Sequence, residues 1–212
     1  MIVFGQPTLI TLTSPSCGGK SWLMEHLIAE WNFQRIISTT DRAPRVGEVD
    51  KVHYFFMTTE ESKELEKQKK FAELVTYNGV RYGVTHDEMV RKVAKPNSAP
   101  PIVILEPSGL KEYEKYCKKN KWRMFKIFVD TPEEIRILRL ADRTTKDIIA
   151  KPNASYEEVK QCIVSNNSRL QAIIEKERSW YKKSNWDLIV PGTSLSDAKH
   201  LILDAAKRFN ND

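Results

Sequence analysis

Three cysteines in 212 residues, Cys17, Cys117 and Cys162, are too few, too scattered and odd in number for a disulfide framework. They also lack metal-ligand spacing, so a reduced, cytoplasmic protein is the simplest expectation. No apolar run approaches the roughly 20 residues that span a bilayer, and no membrane partner is expected. The opening MIVFGQPTLITLT has no basic segment ahead of its apolar residues and leads into a strand-like run, unlike a signal peptide. Repeats and low-complexity tracts are absent. With 41% hydrophobic and 29% charged residues, global disorder is excluded and one domain, with excursions from it, can bury a full core.

What is present in excess is positive charge. A net charge of +6 and a pI near 9.1 fit an anionic partner, whether nucleotide, nucleic acid or acidic lipid. Charge alone does not choose among them. The Lys-rich stretch KEYEKYCKKNKWRMFK interleaves aromatic and basic residues, yet it reads as a helix with a solvated lysine face leading into a strand. No nucleic-acid partner is therefore expected.

Short apolar segments alternate with helical patterns along most of the chain. Thr8 to Thr13 is a β-branched run suited to a buried strand, and Leu23, Leu27, Ile28 and Trp31 then recur at helical spacing. Phe33 to Ile37, Ile102 to Leu105, Met124 to Val129 and Leu188 to Val190 read as further strands. Helices are expected over Asp87 to Lys95, Leu110 to Asn120, IRILRLADR, Tyr156 to Lys183 and Ser194 to Arg208. Thr131-Pro132-Glu133-Glu134 reads as a helix start with its cap. This alternation predicts an α/β fold with a parallel sheet covered on both faces. Residues 38–84 break the pattern: a polar stretch, a strand HYFFM, a Thr-capped charged helix and a hairpin about Asn78-Gly79 predict a small, mostly β insertion.

Between the first strand and helix lies Ser14-Pro15-Ser16-Cys17-Gly18-Gly19-Lys20-Ser21. It matches the end of the phosphate-loop pattern G-x-x-x-x-G-K-[ST] and lacks only the first glycine, replaced by the small Ser14. The pattern works because backbone amides converge on phosphate at a helix N-terminus, a lysine neutralises charge and a hydroxyl ligates magnesium. Ser16, Cys17, Gly18, Gly19, Lys20 and Ser21 are thus candidates for ATP, with Ser21 the candidate Mg2+ ligand.

Downstream, Arg42 and Arg45 flank Pro44, with Ser38 just before and Tyr54 and Tyr82 on neighbouring strands. Guanidinium forks and hydroxyls of this kind suit a phosphomonoester. The stretch Ser38-Thr39-Thr40-Asp41-Arg42-Ala43-Pro44-Arg45-Val46-Gly47-Glu48-Val49 resembles the guanylate kinase signature S-x-T-T-R-x-P-R-x-G-E, and weaker similarity covers nearly the whole chain. The resemblance implies a P-loop three-layer fold with a five-stranded parallel sheet. It also implies a core at 1–37 and 85–212, an NMP-binding subdomain at 38–84 and a helical lid at about 140–169. It places Ser38, Arg42, Arg45, Tyr54 and Tyr82 on the acceptor phosphate. Glu73 and Glu106 would meet the guanine edge, and Lys20, Arg139, Arg143 and Arg169 would surround the transferring phosphoryl group.

Two positions depart from that pattern. Val84 stands where the family has a Ser or Thr that contacts guanine O6, with Thr85 beside it as a substitute, and Ile104 stands where the family has an Asp. The expected reaction is ATP-dependent phosphorylation of GMP or dGMP. Another acceptor, such as dTMP or a modified deoxynucleotide, remains open at this stage, as does a non-catalytic interaction module.

Overall fold

The computed structural model describes residues 4–45, 47–77, 79–95 and 99–211. Val46, Asn78 of the expected hairpin turn and part of the KPNSAPP loop lie outside them. At the centre is β1 (Thr8–Thr13), buried along its whole length. Its β-branched and leucine side chains alternate between two cores, as the two-residue period of a strand requires. Ile10 and Leu12 join one cluster, while Leu9 joins the other.

The main sheet is parallel throughout, in the order β2 (Gln34–Arg35), β7 (Pro101–Ile104), β1, β8 (Arg123–Asp130), β9 (Leu188–Pro191). One face is covered by α1 (Lys20–Trp31) and α7 (Leu195–Asn211), through Leu23, Met24, Leu27, Ala198 and Ile202. The other carries α3 (His86–Val93) and α4 (Pro107–Asn120), through Met89, Leu110 and Tyr113. From β1 the chain goes to β2 and β7 on one side, then crosses to β8 and β9 on the other. That reversal opens a crevice beyond the strand ends, where ligands of open α/β sheets sit.

A second sheet, in the order β4 (Phe55–Phe56), β3 (Thr39–Thr40), β6 (Val80–Thr85), β5 (Phe71–Tyr77), stands beside the first. Its helix α2 (Thr59–Lys67) opens with the expected cap: Thr58 accepts from the Glu61 amide and Glu61 accepts from the Thr58 amide.

Three expectations need correction. The segment TTKDII does not leave the helix, and α5 runs over Glu133–Ile149. There Thr144 and Thr145 donate back to the Leu140 and Ala141 carbonyls, and Lys146 pairs with Asp142 one turn away. Conversely, the long helix from Tyr156 breaks: α6 spans Tyr156–Gln171, a π-turn follows over Ala172–Lys176 and a 3-10 turn over Trp180–Lys183. The cap expected of Thr131 belongs to Pro132, because the Thr131 hydroxyl donates to the Gly18 carbonyl at 2.8 Å. Among the described residues no helix is long and apolar enough to cross a membrane.

Candidate active site

The phosphate loop leaves the end of β1 at the sheet's reversal point and runs into α1. Cys17 (φ 59°) and Gly19 (φ 94°) are both left-handed, which curls the backbone, and between them the Gly18 amide donates to the Pro15 carbonyl at 3.1 Å. Ser14 is fully buried, and a Cβ added to Gly18 would lie 1.7 Å from its hydroxyl. The serine therefore fits because Gly18 has no side chain. Lys20 opens α1 and donates to the Ser14 carbonyl at 3.2 Å, spanning the loop.

Before the loop lies a cleft of about 1420 Å³, larger than the roughly 300–1,000 Å³ of a typical single-ligand pocket. Ser16 to Ser21 line one part of it. Ser38, Arg42, Arg45, Tyr54 and Tyr82 line another, and Arg139, Arg143 and Arg169 reach it from α5 and α6. Glu73 and Glu106 line it as well.

Positive charge is concentrated among the arginines of the cleft. Arg45 is lowered to about 10, first by burial and then by Arg143, Arg169 and Arg42. Arg169 is lowered as well, by burial and by Arg143. Guanidiniums crowded this closely repel one another, and an anion placed among them relieves the repulsion. Arg42 is held by Glu48 in a two-pronged pair of 2.8 and 2.9 Å, beneath which lie the Tyr54 and Phe56 rings. Glu48 also accepts from the Arg45 amide at 2.7 Å, so one carboxylate shapes the whole turn. Burial works against its charge, but the Arg42 and Arg45 hydrogen bonds hold it below the usual carboxylate range.

Two of the lining groups are buried carboxyls. Burial, then Glu106 and Glu112, push Glu73 up to about 8. Burial pushes Glu106 up to about 7, against the pull of Lys20 and with Glu177 adding to it. One Glu106 oxygen is buried without a partner. The first turn of α4 packs onto Glu73 so closely that a Cβ on Gly109 would lie 2.6 Å from its Oε1.

Four candidate residues are engaged within the protein itself. Val84 is 1% exposed, belongs to the buried cluster that includes Met89 and Val103, and lies directly opposite Glu73 in the β5–β6 pair. The Thr85 hydroxyl caps α3 by accepting from the Glu88 amide, and Thr85 does not line the cleft. Ser16 lines the cleft, but its amide donates to Glu177 at 2.8 Å and its hydroxyl to the same carboxylate at 2.7 Å. Arg139 reaches the loop directly, donating to the Cys17 and Gly192 carbonyls at 3.3 and 2.9 Å.

Glu177 itself was missed. Its signal was present, since Asn166, Leu170, Ile173 and Glu177 recur at helical spacing and a carboxylate on such a face needs partners. Glu48 and Thr131 were quoted only as part of a signature and as a cap. Nothing in the sequence reveals that they hold the arginine turn and the loop.

A parallel sheet with a phosphate loop at its reversal point and an arginine-lined cleft define a P-loop nucleotide-binding protein with room for two ligands. The family model for guanylate kinase matches residues 6–184. Guanylate kinase from Rickettsia typhi is 38% identical over 139 residues, covering 65% of this chain and 68% of that protein. Guanylate kinase from Sulfurimonas denitrificans is 29% identical over 210 residues, 94% and 88% of the two chains. The crystal structure of guanylate kinase from Anaplasma phagocytophilum superposes with a TM-score of 0.56 at 19% identity, over 100% of this chain and 86% of that one, which shows a shared fold. The chain belongs to the guanylate kinase family, and is a nucleoside-monophosphate kinase by that membership.

Proposed function

We propose that the protein transfers the γ-phosphoryl group of ATP to GMP or dGMP, giving the diphosphate and ADP. The observation that carries the reading is a single cleft lined by the phosphate loop, a cluster of arginines and two buried carboxyls. In it, residues 38–84 form the acceptor-binding subdomain and the segment about 140–169 the lid over the 1–37 and 85–212 core.

Roles follow from chemistry. Amides from Cys17 to Ser21 and the Lys20 ammonium hold the ATP phosphates. Ser38, Arg42, Arg45, Tyr54 and Tyr82 hold the acceptor phosphate. Arg143 and Arg169 stabilise charge on the group in transit, while Arg139 braces the loop and adds to the field. The acceptor phosphate is itself the nucleophile, so no general base is required and catalysis rests on alignment and charge. Glu73, as carboxylate, accepts from guanine N1–H and N2–H, which adenine cannot supply at N1. Glu106 supplies a second acceptor nearby.

Mg2+ fits this donor set. The Ser21 hydroxyl, lining the cleft at the loop's end, would hold it together with the ATP phosphates. When bound, it neutralises phosphate charge and polarises the group to be transferred. Free Cys17, Cys117 and Cys162 suit a reducing cytoplasm. A module that only bound proteins would have no use for the lysine and arginines gathered about the loop. A coupled ADP-release assay over a panel of ribo- and deoxynucleoside monophosphates tests the reading. Turnover confined to GMP and dGMP is expected, and a preference for dTMP or AMP would overturn the base assignment.

A further inference from the structure

Outside the groups that face the nucleotides, one buried carboxylate joins parts of the molecule far apart in sequence. Glu177 is 1% exposed and ends the π-turn that follows α6, the helix that carries Arg169. Its Oε1 accepts from the Ser16 hydroxyl at 2.7 Å and from the Tyr77 hydroxyl at 2.8 Å. Its Oε2 accepts from the Ser16 amide at 2.8 Å and from Arg136 at 3.4 Å. All four lone-pair directions of the carboxylate are used.

Each partner belongs to a different element. Ser16 precedes left-handed Cys17 in the phosphate loop, and a non-glycine residue in that conformation persists only where its surroundings fix it. Tyr77 is the last residue of β5, at the tip of the hairpin that bears Glu73 and Tyr82, and its ring meets Trp180 edge-on at 6.4 Å. Arg136, 4% exposed, lies one turn before Arg139 on α5.

We propose that Glu177 is a positioning residue for phosphoryl transfer, one that fixes the phosphate loop through Ser16 and ties the tip of the acceptor-binding hairpin to that loop through Tyr77. Occupation of the ATP side and closure over the acceptor are then coupled through one carboxylate. The inference rests on the two-nucleotide reading of the cleft. A purely structural role, an ion pair with Arg136 that joins α5 to the end of α6, needs neither Ser16 nor Tyr77. Burying a carboxylate is costly unless it is fully paired, and here half of its pairing goes to the loop and a quarter to the hairpin.

Full-length Tyr77→Phe, Glu177→Gln and the double variant are assayed by steady-state kinetics. Each nucleotide is also titrated with and without a non-hydrolysable analogue of ATP or an excess of the acceptor. In the unmodified protein the ATP analogue is expected to tighten acceptor binding several-fold. Tyr77→Phe is expected to raise the acceptor KM about tenfold, to leave analogue affinity within about twofold, and to bring the coupling ratio close to one. Glu177→Gln weakens both nucleotides and lowers kcat. The double variant raises acceptor KM no further than Glu177→Gln alone, since the two residues act as a unit. An unchanged coupling ratio in Tyr77→Phe, or additive effects in the double variant, overturns the proposal. If Glu177→Gln does not fold, Tyr77→Phe decides alone. Absence of turnover by the unmodified protein would sink the kinase reading, whereas the coupling ratio from the titrations still decides the tie.

Discussion

Raising the pH should tighten acceptor binding, because Glu73 must be ionised to accept from the guanine edge yet is held up to about 8 in the free protein. At about pH 6.5 roughly 3% of such a group is ionised and at about pH 8.5 about three-quarters, so the association constant should rise roughly 25-fold between them. Glu106, held up to about 7, steepens the lower end of that rise. Ionisation of the acceptor phosphate, with a second pKa near 6, contributes less than about twofold over the same span. The assay is acceptor KM at saturating ATP, joined to calorimetry in buffers of different ionisation enthalpy. At about pH 7 binding should release about one proton from Glu73 and up to about half of one more from Glu106. Glu73→Gln removes the titrating group, so the profile should flatten and the proton release should fall. A KM that is constant over the range, or that rises with pH, would refute the assignment of Glu73 to the base.

Three more outcomes follow from the geometry. Gly109→Ala puts a methyl 2.6 Å from Glu73 Oε1, where the carboxyl can swing away, so the fold should survive while acceptor KM rises about tenfold or more, measured by kinetics alongside thermal melts. Arg42→Lys breaks the two-pronged pair with Glu48 and loosens the turn carrying Arg45, and should weaken acceptor binding about 10- to 100-fold with ATP affinity little changed in direct titrations. In melts without nucleotide, Glu73 and Glu106 have folded-state pKa values raised above their unfolded ones, so the folded state binds more protons. Their contribution is full at low pH and is lost as pH rises through about 7 and 8, and Glu73→Gln should raise Tm most at about pH 8.5.

Much of this architecture is legible in the sequence where one local signal dominates. The run Thr8 to Thr13 is β-branched and ends in a glycine-bearing turn, and it becomes the central strand with the loop at its end. Elements decided by tertiary contacts are less legible. The expected strand Phe33 to Ile37 shrinks to Gln34–Arg35, because at the sheet's edge it pairs with β7 alone. The π-turn after Gln171 leaves no mark in a 3.6-residue pattern. For the site, the loop and arginine motifs name residues whose chemistry faces the cleft. Groups that hold those residues in place, such as Glu48 and Thr131, become visible only when the chain is folded. Val84 shows the opposite case: a departure from a family pattern turned out to be a core side chain, 1% exposed.

The central claim is transfer of a phosphoryl group between two nucleotides bound in one cleft. It is tested most directly by following GDP and ADP formation from GMP and ATP with purified protein and Mg2+, beside Lys20→Ala. The expected result is stoichiometric production of both diphosphates, with kcat falling about 10²- to 10³-fold or more in the variant. ATP consumption without GDP, or no product from any nucleoside monophosphate, would contradict it.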